Sequence, residues 1–233
     1  MATFDKKNCA CKDLCLQYST DKCNSLCEGY WYGNYILSQS NLPVKYQQYK
    51  ELQIPVDDPV SYKLLKALQD DIYRFVYEGR NLYIYSNNNG NGKTTWATNL
   101  MHQYFHEVKD WCGRTIRGVF VSVPIFLIQL KNSISVPDPK FEQFKESLRI
   151  ADLVIWDDIA QSKLSNYEIG VLYAYIQERL LSGKSNIYTG TTTNNTMEYN
   201  LGTELYGRVK TNLSTVVLKA EAYKVNGFFT NSQ

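Results

Sequence analysis

The chain has 233 residues, with 25 Lys and Arg against 23 Asp and Glu and a hydrophobic fraction of 44%. That length suits one domain, or one domain with a small appendage, and the composition excludes a disordered chain. A formal charge of +2 excludes a polybasic tail as the main device for nucleic-acid binding, though it leaves room for a local basic groove. No apolar run approaches the roughly 18 residues of a membrane span. The polar, cysteine-rich N-terminus also lacks the apolar core of a signal peptide. A soluble, cytoplasmic protein with no membrane partner is expected.

Five of the 6 cysteines fall within the first 27 residues: Cys9, Cys11, Cys15, Cys23 and Cys27. A secreted disulfide scaffold would spread its cysteines through the fold, whereas clustered thiols in a reducing compartment point to a metal. Zn²⁺ takes four N or S ligands in a tetrahedron. The spacing offers the pairs Cys11/Cys15 and Cys23/Cys27, with Cys9 as a substitute, so that four of the five would ligate zinc. An iron–sulfur cluster would use the same thiolates, and free thiols are the plain alternative.

The Tyr-rich stretch from Gly29 to Tyr35 leads into Asn41-Leu42-Pro43, which reads as a linker turning into a short helix. Asp57, Asp58 and Pro59 mark a helix start. Leu64, Leu68, Ile72, Phe75 and Val76 then predict one amphipathic helix over 60–78. Asn81 to Ser86 is a short strand, followed by a Gly- and Asn-rich turn and a helix carrying Trp96, Leu100, Tyr104, Val108 and Trp111. His102 and His106 on that helix have no third ligand in view and are expected on a solvated face. Strands are predicted at 119–123, 152–158, 186–192 and 215–218. Helices are predicted at 124–133, 138–149 and 166–182, with Arg179 in a structural place near the end of the last, where it suits the helix dipole. Five strands alternating with helices require crossover connections. The expected fold is therefore α/β, with a mainly parallel five-stranded sheet covered on both faces.

A strand, a Gly-rich turn, Lys-Thr and a helix form the setting of a phosphate loop. Successive backbone N–H groups and the helix N-terminus make an anion cradle that only small residues let a phosphate approach. The candidates are Asn89, Gly90, Asn91, Gly92, Lys93, Thr94 and Thr95. Lys93 would reach the β- and γ-phosphates of ATP, and Thr94 would ligate Mg²⁺. Asn87 stands where the usual motif has its first glycine. Asn visits the left-handed region more readily than other non-Gly residues, so the turn is expected to survive. Leu153 to Trp156 form an apolar strand that ends in Asp157 and Asp158. Asp157 would hold Mg²⁺, directly or through water, and Asp158 would polarise the attacking water, although a Glu is commoner at that second position.

The order of phosphate loop, acidic strand, Thr-rich end of the fourth strand and then Leu201-Gly202-Thr-Glu-Leu-Tyr-Gly-Arg208-Val resembles the AAA+ ATPase domain of the DnaC/DnaI-type replicative helicase loaders. It is especially similar to bacteriophage versions with a Cys-rich N-terminus. The resemblance spans residues 60–220, and residues 1–50 loosely. It implies a P-loop AAA+ (ASCE) fold, a Cys-rich region over 1–50 that grips the partner, and an ATPase domain over 51–233. It implies a γ-phosphate sensor at Asn194, with Thr192 as the alternative and plain turn chemistry as a third reading. It also implies an arginine finger at Arg208, for which a surface ion pair is the alternative. Only 25 residues follow Arg208, so a reduced or absent helical lid is expected.

The function implied is an ATP-dependent loader that places a hexameric replicative helicase on single-stranded DNA in a bacterial or phage-infected cell. Such a loader would form homo-oligomers in the ATP state. An IstB-like ATPase regulating transposition, and an adaptor that binds nucleotide with little hydrolysis, remain the alternatives.

Overall fold

Five parallel strands form one sheet in the order β2-β3-β4-β1-β5: β1 (Asn81–Tyr85), β2 (Gly118–Ser122), β3 (Leu153–Asp157), β4 (Ser185–Gly190) and β5 (Leu213–Val217). The computed structural model describes residues 3–55, 57–109 and 116–219. Side chains alternate across a strand, and this sheet uses both faces. Leu82, Ile84, Phe120, Leu153, Ile155 and Ile187 enter one core, while Tyr83, Val119, Val121, Val154, Trp156 and Tyr188 enter the other.

The first core is closed by α1 (Glu28–Gln39), α2 (Pro59–Asp70), α3 (Ile72–Tyr77) and α4 (Lys93–Val108). The second is closed by α5 (Val123–Ser135), α6 (Pro139–Ile150), α7 (Asn166–Leu181), α8 (Asn194–Leu201) and α9 (Thr203–Val209). Helices on both faces of a wholly parallel sheet match the expected α/β architecture. Among the described residues no helix is long and apolar enough to cross a membrane.

Several local expectations need correction. The single helix over 60–78 is two helices broken at Asp71, whose backbone (φ −109°, ψ 16°) ends α2 and starts α3. Leu64 is exposed, and α2 buries Ser61, Tyr62, Leu65 and Gln69 instead. The Tyr-rich stretch is helical in α1. Gly33 lets that helix approach the N-terminal turns, because a Cβ there would lie 2.8 Å from Cys11 Sγ. Ile36, Leu42 and Leu52 join the first core. The edge of β2 is covered by the same stretch: Phe120 N–H donates to the Ser40 carbonyl and Asn41 Nδ2 donates to the Phe120 carbonyl. His102 is not solvated: it is buried, with Nε2 2.8 Å from the Tyr46 carbonyl, and burial lowers its pKa. The cause is the depth of α4, which is covered on nearly every face. Trp111 lies outside the described residues.

Arg179 of α7 is structural, though the dipole is the lesser reason. Its fully buried guanidinium donates to the Leu148, Ala151 and Ser185 carbonyls at 2.7, 2.8 and 2.5 Å and to Asn186 Oδ1 at 2.8 Å. Burial lowers its pKa to about 9. Asn186 in turn accepts from Trp156 Nε1 and donates to Asn81 Oδ1, so one side chain ties α6, α7, β3, β4 and β1. Replacing Arg179 by Met leaves several buried carbonyls without a donor. Each such group costs about 1–3 kcal/mol, so Arg179→Met should lower unfolding free energy by at least about 3 kcal/mol in a urea titration.

Candidate nucleotide-binding site

β1 runs into the loop from Asn87 to Gly92, and α4 starts at Lys93. The left-handed turns fall on Gly90 (φ 78°) and Gly92 (φ 89°). Asn87 needs no positive φ, so the missing glycine is replaced by later glycines and not by the tolerance of Asn. Asn87 is instead held by the Tyr85 hydroxyl, which donates to its Oδ1. Asn89 and Gly90 at the tip are exposed, while Asn91 is buried and its Nδ2 donates to Ser86 Oγ. Lys93 is buried with its ammonium turned into the loop, donating to the Asn88 carbonyl at 2.8 Å and to Asn91 Oδ1 at 3.3 Å. Burial lowers the Lys93 pKa, against the pull of Asp158 and Asp157. Thr94 and Thr95 lie half-buried in the first turn of α4.

β3 delivers its last residue to the same place. Thr94 Oγ1 donates to Asp157 Oδ1 at 2.8 Å, and Thr189 Oγ1 donates to the same oxygen at 2.6 Å. Burial raises the Asp157 pKa, opposed by these hydroxyls. Asp158 follows in the left-handed region (φ 57°), half-buried, and burial raises its pKa against the charge of Lys93. Asp is among the non-Gly residues that tolerate this conformation. A hydroxyl and a carboxylate side by side are hard oxygen donors of the kind that hold Mg²⁺. Thr94 and Asp157 fit that ion.

The other expected residues lie elsewhere or do not assemble. Thr192, just past β4, is held by Tyr83, whose hydroxyl donates to the Thr192 carbonyl at 2.9 Å. Asn194 begins α8, and its side chain lies outside the described residues. Arg208 is exposed near the end of α9, its Nε donating to the Tyr173 hydroxyl at 3.1 Å. Among the described residues, no three of the N-terminal cysteines come together with metal-holding geometry. The zinc expectation therefore loses its support. Cys11 is buried and turned inward against Gly33, with the Cys9 thiol as its neighbour. The proximity of the two thiols lowers the Cys9 pKa and, together with burial, raises that of Cys11.

Thr189, Tyr83 and Ser86, expected only as strand residues, also support the site. The available signal was parallel register: β3 and β4 pair Trp156 with Tyr188, and one step on sets Asp157 opposite Thr189.

Solved structures share this fold. The DnaC helicase loader is 19% identical, with a TM-score of 0.63, covering 76% of this chain and 100% of that one. DnaI is 16% identical, with a TM-score of 0.61, covering 76% of this chain and 95% of that one. The replication initiator DnaA bound to AMPPCP and single-stranded DNA is 13% identical, with a TM-score of 0.54, covering 80% of this chain and 50% of that one. At these identities the likeness is one of fold. No protein-family model and no curated protein matches the chain.

The Tyr83 contact makes a local test possible. A Cβ at Gly190 would lie 2.7 Å from the Tyr83 hydroxyl oxygen, and Tyr83 is buried. Gly190→Ala should cost about 1–3 kcal/mol, the usual range for overpacking. Adding Tyr83→Phe removes the clashing oxygen, so the double variant should lose less than the sum of the single losses. Calorimetric unfolding of the four proteins measures the coupling.

Proposed function

We propose that this chain binds ATP with Mg²⁺, hydrolyses it, and uses the cycle to place a hexameric replicative helicase on single-stranded DNA. The observation that carries the reading is the contact between Thr94 and Asp157 (2.8 Å) next to a phosphate-loop lysine. It occurs in a chain folded like the DnaC helicase loader and DnaI.

The backbone N–H groups from Asn89 to Thr95 would cradle the phosphates. Lys93 would exchange its loop acceptors for the β- and γ-phosphate oxygens. Thr94 would hold Mg²⁺ directly, and Asp157 directly or through water. Bound there, the ion would neutralise charge on the phosphates. Asp158 would orient the attacking water, Asn194 or Thr192 would sense the γ-phosphate, and Arg208 would complete a neighbouring subunit's site in a homo-oligomer. The division into a partner-gripping region over 1–50 and an ATPase domain over 51–233 belongs to the same proposal. A helicase partner is supported by the likeness to DnaC, and single-stranded DNA by the likeness to DnaA. A cytoplasmic location follows from that work. Retention of a hexameric helicase by the tagged chain supports loading, and retention of a transposase points to an IstB-like regulator.

Lys93→Ala should abolish ATP binding in calorimetry, because the loop loses the cation aimed at the phosphates. Asp158→Asn should bind ATP normally and lose multiple-turnover phosphate release. Parental turnover in that variant assigns the base elsewhere, and no turnover in the parent, with or without DNA, points to a nucleotide-binding adaptor.

Arg208→Ala should bind ATP and hydrolyse it poorly, since fingers of this kind contribute on the order of 10³–10⁵ in rate in GTPases. Mixing it with Lys93→Ala rebuilds a complete site where an Arg208→Ala subunit holds ATP and a Lys93→Ala subunit offers its arginine. Hydrolysis should therefore recover in part. Parental turnover by assembled Arg208→Ala alone overturns the role.

A further inference from the structure

We propose that Thr189 is the positioning residue of this site, one hydroxyl setting both acids that follow the apolar strand β3. The inference rests on the ATPase reading for its consequence, though its geometry stands without it. Thr189 is fully buried on β4, directly beside the end of β3. A threonine hydroxyl has one hydrogen to give and lone pairs to accept with. The carboxylate of Asp157 only accepts, so at 2.6 Å the hydrogen goes to Asp157 Oδ1. The same oxygen atom of Thr189 then accepts the Asp158 backbone N–H at 3.1 Å. The Thr189 carbonyl accepts the N–H of Ile159 at 3.1 Å. One residue thus fixes three consecutive positions.

Two consequences follow for the chemistry. Thr94 and Thr189 together fill the lone pairs of Asp157 Oδ1, which leaves Oδ2 to face an ion or the water on it. The bond to the Asp158 N–H pins the peptide that turns into the left-handed region at φ 57°. Without that acceptor the peptide can relax, and the Asp158 carboxylate swings with it. Thr189 touches neither nucleotide nor ion in this account and acts through the two acids.

The test compares the full-length parent with Thr189→Val, which keeps the β-branched shape without the hydroxyl, and Thr189→Ser, which keeps the hydroxyl. Thr189→Ala takes the place of the valine variant if that one does not fold. Without nucleotide, amide exchange at Asp158 should speed up by roughly tenfold or more in Thr189→Val. Ile159, whose acceptor is a backbone carbonyl, should change less. With nucleotide, the gain in ATP affinity on adding Mg²⁺ should shrink while affinity in EDTA holds. Turnover should fall roughly 10- to 100-fold, the range expected for a lost hydrogen bond to a charged group, with KM changing less. Thr189→Ser should restore all three. Parental exchange at Asp158 and a parental Mg²⁺ gain in Thr189→Val overturn the proposal, as does a serine variant as impaired as the valine one. If the parent itself binds no Mg²⁺-nucleotide, the ATPase reading fails, while exchange at Asp158 still decides whether the hydroxyl positions the turn.

Discussion

A charge is buried at each end of the β3–β4 pair, and each has to be met by groups from neighbouring elements. Taking an ion out of water costs several kcal/mol unless it is fully partnered. At the amino end, Arg179 is satisfied by carbonyls of α6, of the turn before β3 and of β4, and by Asn186. At the carboxyl end, Asp157 Oδ1 is met by hydroxyls from α4 and β4. These partners are tolerable only if β3, β4 and α4 hold one register, so the sheet's alignment and the site's geometry are a single requirement.

The opposite faces of the sheet serve this requirement differently. The face under α4 is packed with aliphatic and aromatic side chains, and its polar contacts tie the helix to the segment before it. Asn99 exchanges hydrogen bonds with the Lys50 backbone at 3.1 and 2.7 Å, and His102 meets Tyr46. The phosphate-loop helix is thereby anchored along its length. On the other face, Tyr83 reaches from β1 to the turn after β4, and Gly190 has no side chain because that tyrosine needs the space. Carboxyl ends of parallel strands gather their loops at one edge, and these contacts hold the loops still there.

The elements read well from sequence are those whose signal is local. The phosphate loop was visible because its glycines and Lys-Thr act through their own backbone, and β3 because four apolar residues precede two acids. What was missed depends on partners distant in sequence. The Tyr-rich stretch forms a helix with Gly33 where Cys11, 22 residues earlier, packs against it. The break at Asp71 and the exposure of Leu64 follow from how α2 and α3 lie on the sheet, which periodicity does not register. His102 reads as solvated only while nothing is known to cover α4. The cysteine spacing suggested a tetrahedral site, yet spacing fixes how far apart thiols lie along the chain and not which way they turn. Thr189 sits 32 residues from Asp157, and nothing but strand pairing brings the two together.

The loop's own arrangement bears on how a phosphate would enter. Lys93 already points inward, its ammonium held by the Asn88 carbonyl and Asn91 Oδ1, and Asn91 is held in turn by Ser86. Its burial is therefore met before any ligand arrives. On the ATPase reading, binding exchanges these neutral oxygen acceptors for charged phosphate oxygens, which make the stronger hydrogen bond. The side-chain entropy of a long lysine is lost at folding rather than at binding, so more of the contact energy is available to hold the nucleotide. The same reasoning applies to Asp157, whose Oδ1 is fixed by two hydroxyls in advance. Preorganised groups of this kind stabilise developing charge without reorganising at the moment of reaction, and here the organisation comes from the strand register that the buried charges enforce.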